Sequence, residues 1–371
     1  MRMQRSGRGA PSVHDHLDLR DIVARDELFV TVWASRPAMT PRSIASRVQE
    51  VRSAIRGGWP ESIAEQLAES VDAAFPEAAG VVAVADRSGV VLSEHLGEPP
   101  RAEIVRVGSL PSLAPVIEHR QQSIPFIAVV ADRRGADLFW SSGHQTGATT
   151  VAGDDTTLTK VQAGGWSQHT FQQRAENSWE HTAHDIAEEL MRLADSINPR
   201  VITVAGDVRI KEMLHKRLPA ATAALLRDAP GGGRTTDGSE DERAEAVRRW
   251  VRTAVAEDTV AVLKLFEQHR GQLDRASDGA AATFSAMREA RVDTLLIHDD
   301  PTSERAAYFI EEDPGVIALE RLTITDLGHT SARAGRMVDV AIRNAILTGA
   351  GIRVVPGTSP VNEGIGAILR W

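Results

Sequence analysis

Short runs of apolar, often β-branched residues alternate along the chain with longer stretches in which apolar residues recur every three or four positions. The short runs predict buried strands at 81–85, 126–131, 201–204 and 294–297. The longer stretches predict helices at 41–56, 60–75, 171–197, 240–269 and 333–347. Because strands that alternate with helices are typical of α/β units, we expect an α/β fold with mixed or parallel sheets covered by helices.

Two interruptions of this pattern predict domain boundaries. One boundary lies near 121–125, after the Pro-punctuated sequence LPSLAP and before a fresh strand, and the other lies near 271–279, at a patch of Gly, Asp and Ser. We therefore predict an N-terminal domain at 1–122, a middle domain at 123–272 and a C-terminal α/β domain at 273–371. The Gly-rich stretch 230–241 is typical of a surface loop inside the middle domain.

Composition excludes several classes of protein. The 371 residues are 42% hydrophobic and 25% charged, which is ordinary for a globular protein. The absence of cysteine excludes disulfide scaffolds, thiolate metal sites and cysteine nucleophiles. No apolar run reaches the ~20 residues that span a bilayer, and the N-terminal stretch is too polar for a signal peptide, so we expect a cytoplasmic protein without a membrane partner. The net charge of −9 argues against a DNA-binding protein.

The segment 160–193 contains the strongest candidate for function. Gly164 and Gly165 are followed by Trp166, Ser167, Gln168 and His169, and then by a helix with an apolar stripe. Thr170 with Gln173 has the spacing of a capping box, which predicts that the helix starts at about 171. Exposed N–H groups at such a helix start attract phosphate, and Arg174 would add a positive charge. For the Gly-Gly pair alone, an ordinary surface loop before an ordinary helix is the competing interpretation.

Other combinations of residues indicate no further chemistry. His181 and His184 could supply two metal ligands, but the spacing offers no third, so we predict no metal site. The sequence contains no Walker phosphate loop, no complete dinucleotide fingerprint and no GxSxG elbow. We therefore predict no cofactor.

Four motifs together resemble the archaeal and eukaryotic class-one peptide-release-factor superfamily, which also contains Pelota. They are GGWSQHTFQQRAENSWEH, the VAGD strand followed by Lys211, the VDTLLI strand and the terminal GIGAILRW. Their order and spacing carry the resemblance, which covers about the last two-thirds of the chain. Among bacterial members, the chain looks most like the actinobacterial branch that includes the ribosome hibernation factor Balon.

The resemblance implies a three-domain architecture and a function on the ribosome. In the superfamily the middle-domain loop reaches the peptidyl transferase centre, the first domain reaches the decoding centre, and the last domain contacts a translational GTPase. The branch implies occupation of the A site of idle 70S ribosomes beside elongation factor Tu. Expected partners are therefore 16S and 23S rRNA and elongation factor Tu, and the expected location is cytoplasmic and ribosome-associated.

The chain departs from the superfamily at the residue that positions water for peptide release. Release factors carry Gly-Gly-Gln, whereas here Trp166 follows the glycines and Gln168 lies two residues further on. Because an error of about 1 Å in such positioning costs ~100-fold in rate, we expect no peptide release. Any residual chemistry would fall to Gln168 and His169. Trp166 could instead stack on an unpaired base, a contact worth ~1–3 kcal/mol.

The first domain shows no match to codon-reading motifs. Its candidates for rRNA contact are Arg42, Arg47, Arg52, Arg56 and Trp59, and a solvated helix face is an equally good interpretation of the arginines. Two alternative functions stay open on this evidence. One is a peptidyl-tRNA-hydrolysing rescue or release factor, and the other is a GTPase-binding adaptor without direct ribosome contact.

Overall fold

The computed structural model describes residues 16–36, 44–55, 59–74, 78–143, 145–153, 167–231, 234, 239–272 and 275–371. The chain divides into two compact units: unit 1 is Met1–Gln121 with Asp258–Trp371, and unit 2 is 122–257. Four sheets accompanied by helices confirm the mixed α/β class. The division into three domains at 122 and 272 stays a prediction.

The N-terminal part of unit 1 is an antiparallel sheet with the order β3-β2-β1-β4. The predicted strand 81–85 lies in β2, and the two predicted helices are α2 and α3. Apolar side chains of α3, including Ile63, Leu67 and Val71, pack with those of β1 and β2 in one core. The elements are α1 (Arg20–Val23), β1 (Phe29–Ser35), α2 (Ile44–Ala54), α3 (Ser62–Ala74), β2 (Gly80–Asp86), β3 (Gly89–Leu96), β4 (Ile104–Gly108) and α4 (Ala114–Gln122).

Unit 2 contains a mixed five-stranded sheet with the order β7-β6-β5-β8-β9. Strands β5, β8 and β9 run parallel, whereas β6 and β7 continue from β5 as antiparallel hairpins. The predicted strands at 126–131 and 201–204 are confirmed as β5 and β8. The elements are β5 (Phe126–Asp132), β6 (Gly135–Ser141), β7 (Thr146–Ala152), α5 (Ser167–Ile197), β8 (Val201–Gly206), α6 (Val208–Arg217), α7 (Ala220–Ala223), β9 (Leu226–Asp228) and α8 (Glu240–Gln272), the last of which continues into unit 1.

The C-terminal part of unit 1 has a mixed sheet with the order β10-β16-β11-β15 and a small antiparallel sheet with the order β13-β12-β14. The predicted strand 294–297 is confirmed within β11. The elements are β10 (Ala276–Asp278), α9 (Ala280–Arg288), β11 (Val292–Ile297), β12 (Ala306–Phe309), β13 (Ile317–Ala318), α10 (Arg321–Asp326), β14 (Arg333–Arg336), α11 (Met337–Thr348), β15 (Gly351–Val354) and β16 (Ile365–Leu369).

The predicted helix at 333–347 is wrong in its first turn. Arg333–Arg336 forms the strand β14, which pairs with β12, and α11 begins only at Met337. Gly335 within this turn lowers its helix propensity, and pairing with β12 satisfies the backbone groups instead.

The two parts of unit 1 share one hydrophobic core, although unit 2 separates them in the sequence. Phe29 and Trp33 of β1 belong to the same buried cluster as Val340 and Ala341 of α11. The Gln121 side chain also donates to Val354 O (2.9 Å) and accepts from Val354 N (3.0 Å). Buried apolar contacts and satisfied polar groups thus join the two parts of unit 1.

Within the described ranges, no helix is both long enough and apolar enough to cross a membrane.

Candidate functional site

Helix α5 begins earlier than the sequence predicts. Its first residue is Ser167, so Thr170 lies inside the helix and the capping-box start at 171 is wrong. Residues 167–197 contain neither Gly nor Pro, and the helix-weakening residues nearest to the start of α5 are Gly164 and Gly165. The backbone of Gln168 therefore belongs to the first turn of a helix rather than to a free loop.

Most of the predicted loop lies outside the described residues. Gly164, Gly165 and Trp166 are not described, and neither are the side chains of Ser167, Gln168, His169 and Arg174, whose backbone lies in α5. The role of all seven residues stays a prediction. The structure shows how α5, which begins at Ser167, packs against the rest of unit 2.

The C-terminal half of α5 packs against the sheet of unit 2. Ala183, Ile186, Leu190 and Leu193 are buried at steps of three and four residues, and Trp179 packs beside them. This stripe confirms the apolar face that the sequence predicts. Its buried apolar surface holds the C-terminal half of α5 against the sheet.

Thr182 marks the level at which α5 passes the edge of the sheet. Its hydroxyl donates to the carbonyl of Arg133 (3.4 Å) in the turn between β5 and β6, where β7 also ends. Fifteen residues separate Thr182 from Ser167. At a rise of 1.5 Å per residue, the start of α5 lies about 22 Å along the helix from this level. The backbone of α5 therefore extends well past this level toward its start, which directly follows the Gly-Gly segment (164–166) in the sequence.

Exposed positive charges stand at the same edge of the sheet. Arg133 follows β5 beside Arg134, and Arg209 lies at the start of α6 directly after β8. The carboxyl ends of neighbouring parallel strands meet at one edge of an α/β sheet, which is where such sheets bind ligands. None of these three arginines is among the site residues predicted from the sequence, although their position after two predicted strands is a signal for them. They give this edge a surface that suits phosphate.

Neighbouring acidic groups at this edge already have partners. Asp207 caps α6 by accepting from Arg209 N (2.8 Å), and Gly206 before it adopts a φ of +113°. Burial would raise the pKa of Asp137, but hydrogen bonds from Arg234 (2.9 and 3.1 Å) and Thr150 lower it below its usual value. Asp137 is therefore an ionised carboxylate held against a guanidinium.

Two of the three histidines of α5, His181 and His184, each face a carboxylate one turn further along the helix. His181 lies 3.7 Å from Asp185, and His184 lies 3.4 Å from Glu188. Among the residues that the structure describes, no three His, Asp or Glu side chains converge as a metal site would require.

The candidates in the N-terminal part of unit 1 are only partly described. Arg52 forms an ion pair with Glu65 of α3, and Trp59 is half-buried against the core of that sheet. Arg42 and Arg56 lie outside the described residues, as does the side chain of Arg47 in α2. Contact of this group with rRNA stays a prediction.

Comparison with known proteins finds a family that matches part of this chain. Residues 125–272 match the family described as "Bacterial archaeo-eukaryotic release factor family 2". Two Mycobacterium tuberculosis proteins, the uncharacterized proteins Rv2629 and MT2704, are 25% identical over 362 residues, which covers 95% of this chain and 96% of each relative. The family match contains the whole sheet of unit 2 together with α5.

Solved structures of termination and Pelota proteins align with nearly the full chain at low similarity. The archaeal translation termination factor aRF1 shares 15% identity, with 95% of each chain covered and a TM-score of 0.24. Archaeoglobus fulgidus Pelota shares 11% identity, with 97% of this chain and 93% of Pelota covered and a TM-score of 0.40. Because these TM-scores are low, no argument rests on these structures, and the similarity to a family of release factors is limited to residues 125–272.

Proposed function

We propose that the protein is a ribosome-associated translation factor of the archaeo-eukaryotic release-factor and Pelota superfamily, a proposal supported by the match of residues 125–272 to a bacterial family of such release factors. The observation that supports it best is the arm formed by α5. An arm of about 22 Å beyond the sheet edge suits a protein that must reach into a deep RNA-lined site. The exposed arginines at its base suit contact with the phosphates of rRNA.

We infer further that the protein occupies the A site of idle 70S ribosomes, together with elongation factor Tu, as a hibernation factor. Its Gly-Gly segment is then directed to the peptidyl transferase centre. This assignment to the Balon-like branch rests on the sequence motifs around α5. It makes the protein an occluding element rather than a catalyst.

The proposal includes the absence of peptide release. Trp166 stands at the position after the glycines, and the backbone of Gln168 lies in the first turn of α5. A glutamine fixed on a helix lacks the freedom of one in a Gly-Gly loop to approach an ester carbonyl. The position of Gln168 is therefore evidence against the hydrolase alternative, because a side chain that positions a water molecule for attack tolerates little displacement.

Co-sedimentation with vacant 70S ribosomes through a sucrose cushion tests the proposal. We expect the protein to pellet with ribosomes, and more completely in the presence of elongation factor Tu. Trp166→Ala and Arg174→Ala should each weaken pelleting about threefold to tenfold, because each removes one stacking or phosphate contact. Raising salt from about 50 to 200 mM should weaken it further.

Trp371→Ala and Arg248→Ala are the matched controls. Both residues are exposed and lie outside the Gly-Gly segment and its helix, so they should pellet like the parent protein. Protein that stays in the supernatant with and without elongation factor Tu would contradict ribosome association. If the protein pellets only when elongation factor Tu is present, and salt does not change the amount that pellets, the adaptor alternative is favoured.

A further inference from the structure

Strand β7 forms one edge of the sheet in unit 2. It pairs with β6 on one side, and no strand among the described residues pairs with its other side. Its sequence, TGATTVA, contains no charged residue and no proline. Charged residues and proline are two of the means by which proteins block an exposed edge, and β7 has neither. Within the described residues, the backbone N–H and C=O groups on its outer side therefore have no strand partner and could pair with an added strand.

A hollow of about 670 Å³ lies beside this edge. Its walls are three consecutive residues of β7 and one face of α5. The lining residues are Thr149, Thr150, Val151, Asp185, Glu188, Glu189, Met191 and Arg192. A chain that added to β7 would therefore lay the side chains of one of its faces against α5.

The wall formed by α5 is negatively charged. Arg192 is paired to both carboxylate oxygens of Glu189 (2.8 and 2.6 Å), so this pair is neutral. Asp185 lies 3.7 Å from the imidazole of His181, and Glu188 lies 3.4 Å from that of His184. Within the described part of the chain, no lysine or arginine pairs with either carboxylate, so the wall presents two acidic groups that no such cation balances.

We propose that this surface binds an extended, basic peptide segment of a partner protein, which adds as a strand to β7. Main-chain hydrogen bonds to the edge would supply register, and alternate lysine or arginine side chains would reach Asp185 and Glu188. Side chains two apart on a strand are about 6.6 Å apart, close to the spacing of residues one helical turn apart on α5. The proposal goes beyond ribosome association and does not depend on it.

Fluorescence anisotropy with a labelled ten-residue peptide, alternating lysine with threonine or valine, tests the proposal on the full-length protein. We expect saturable binding in the micromolar to millimolar range that weakens with salt. The Asp185→Asn/Glu188→Gln variant should bind about threefold to tenfold more weakly. The matched control, Glu180→Gln/Asp195→Asn, removes the same charge from the same helix outside the hollow and should bind like the parent protein.

Two further peptides test whether the edge of β7 takes part. Each carries N-methyl groups on alternate amides, in one parity or the other, and only one of the two should lose binding, because alternate N–H groups of a strand face its partner. Equal binding of both would overturn the added strand. Equal binding of a peptide with glutamate in place of lysine, or unchanged binding by the Asp185→Asn/Glu188→Gln variant, would overturn the basic partner.

Discussion

Replacing Gly206 by alanine is expected to destabilise unit 2 by about 3–5 kcal/mol. Gly206 ends β8 with a φ of +113°, a conformation that disfavours any residue with a Cβ. A Cβ placed there would lie 1.8 Å from the carbonyl oxygen of Ala131 in the neighbouring strand β5. Strands β5 and β8 would have to separate at their carboxyl ends, the edge of the sheet that α5 passes.

Urea unfolding monitored by far-UV circular dichroism measures this effect. Gly271→Ala is the control, because nothing lies within 4 Å of the position of its Cβ in α8. That variant should be neutral or stabilised by up to about 1 kcal/mol. If the free energy of unfolding of the Gly206→Ala variant falls by less than about 1 kcal/mol, β5 and β8 do not approach each other so closely at this position.

Replacing Arg336 by methionine is expected to destabilise unit 1 by about 3–5 kcal/mol at pH 8, because it leaves buried carboxylates without their cation. Arg336 is buried between Asp299 (2.8 Å) and Asp339 (3.5 Å), and it also donates to the carbonyl of Ser303 (3.0 Å). Asp339 in turn accepts from Ser112 (3.0 Å) of the N-terminal part. The control Arg321→Met changes an exposed arginine and should shift stability by no more than ~0.5 kcal/mol.

The loss should depend on pH. Burial raises the pKa of Asp339 from 3.8 to about 7, although Arg336 opposes the rise. The native state then binds more protons than the unfolded state between about pH 4 and 7, so this carboxyl makes stability fall as pH rises through that range. Without Arg336 the pKa of Asp339 rises further, and Arg336→Met should lose more stability at pH 8 than at pH 5.5 in urea unfolding. An equal loss at both values would contradict the role of Asp339.

The sequence predicts those elements whose pattern is strong and local. Strands such as 126–131 and the apolar stripe of α5 follow from consecutive or periodic burial, and the structure confirms them. β7 has no such pattern, because it is an edge strand of small and hydroxyl-bearing residues. The predicted start of α5 at about 171 is too late. Thr170 and Gln173 have the spacing of a capping box, but they lie inside a helix that already begins at Ser167.

The pattern of hydrophobic and polar positions does not predict contacts between residues that are distant in the sequence. The bond between Ser112 and Asp339 joins positions more than 200 residues apart, and the core around Trp33 and Ala341 likewise spans both ends of the chain. The arginines at the carboxyl ends of β5 and β8 come together only because these two strands pair in parallel. The functional assignment came from the resemblance of motifs, and the match over 125–272 supports the superfamily.

Tethered hydroxyl-radical cleavage of rRNA tests most directly whether α5 points the Gly-Gly segment at the peptidyl transferase centre. The chain contains no cysteine, so Gln168→Cys provides a single attachment point for an iron chelate. Asp195→Cys on the same helix is the matched control, at about 40 Å along the axis. In complexes with 70S ribosomes, we predict cleavage of 23S rRNA at the peptidyl transferase centre from position 168 and not from position 195. Cleavage at that centre from neither position, or equally from both, would contradict it.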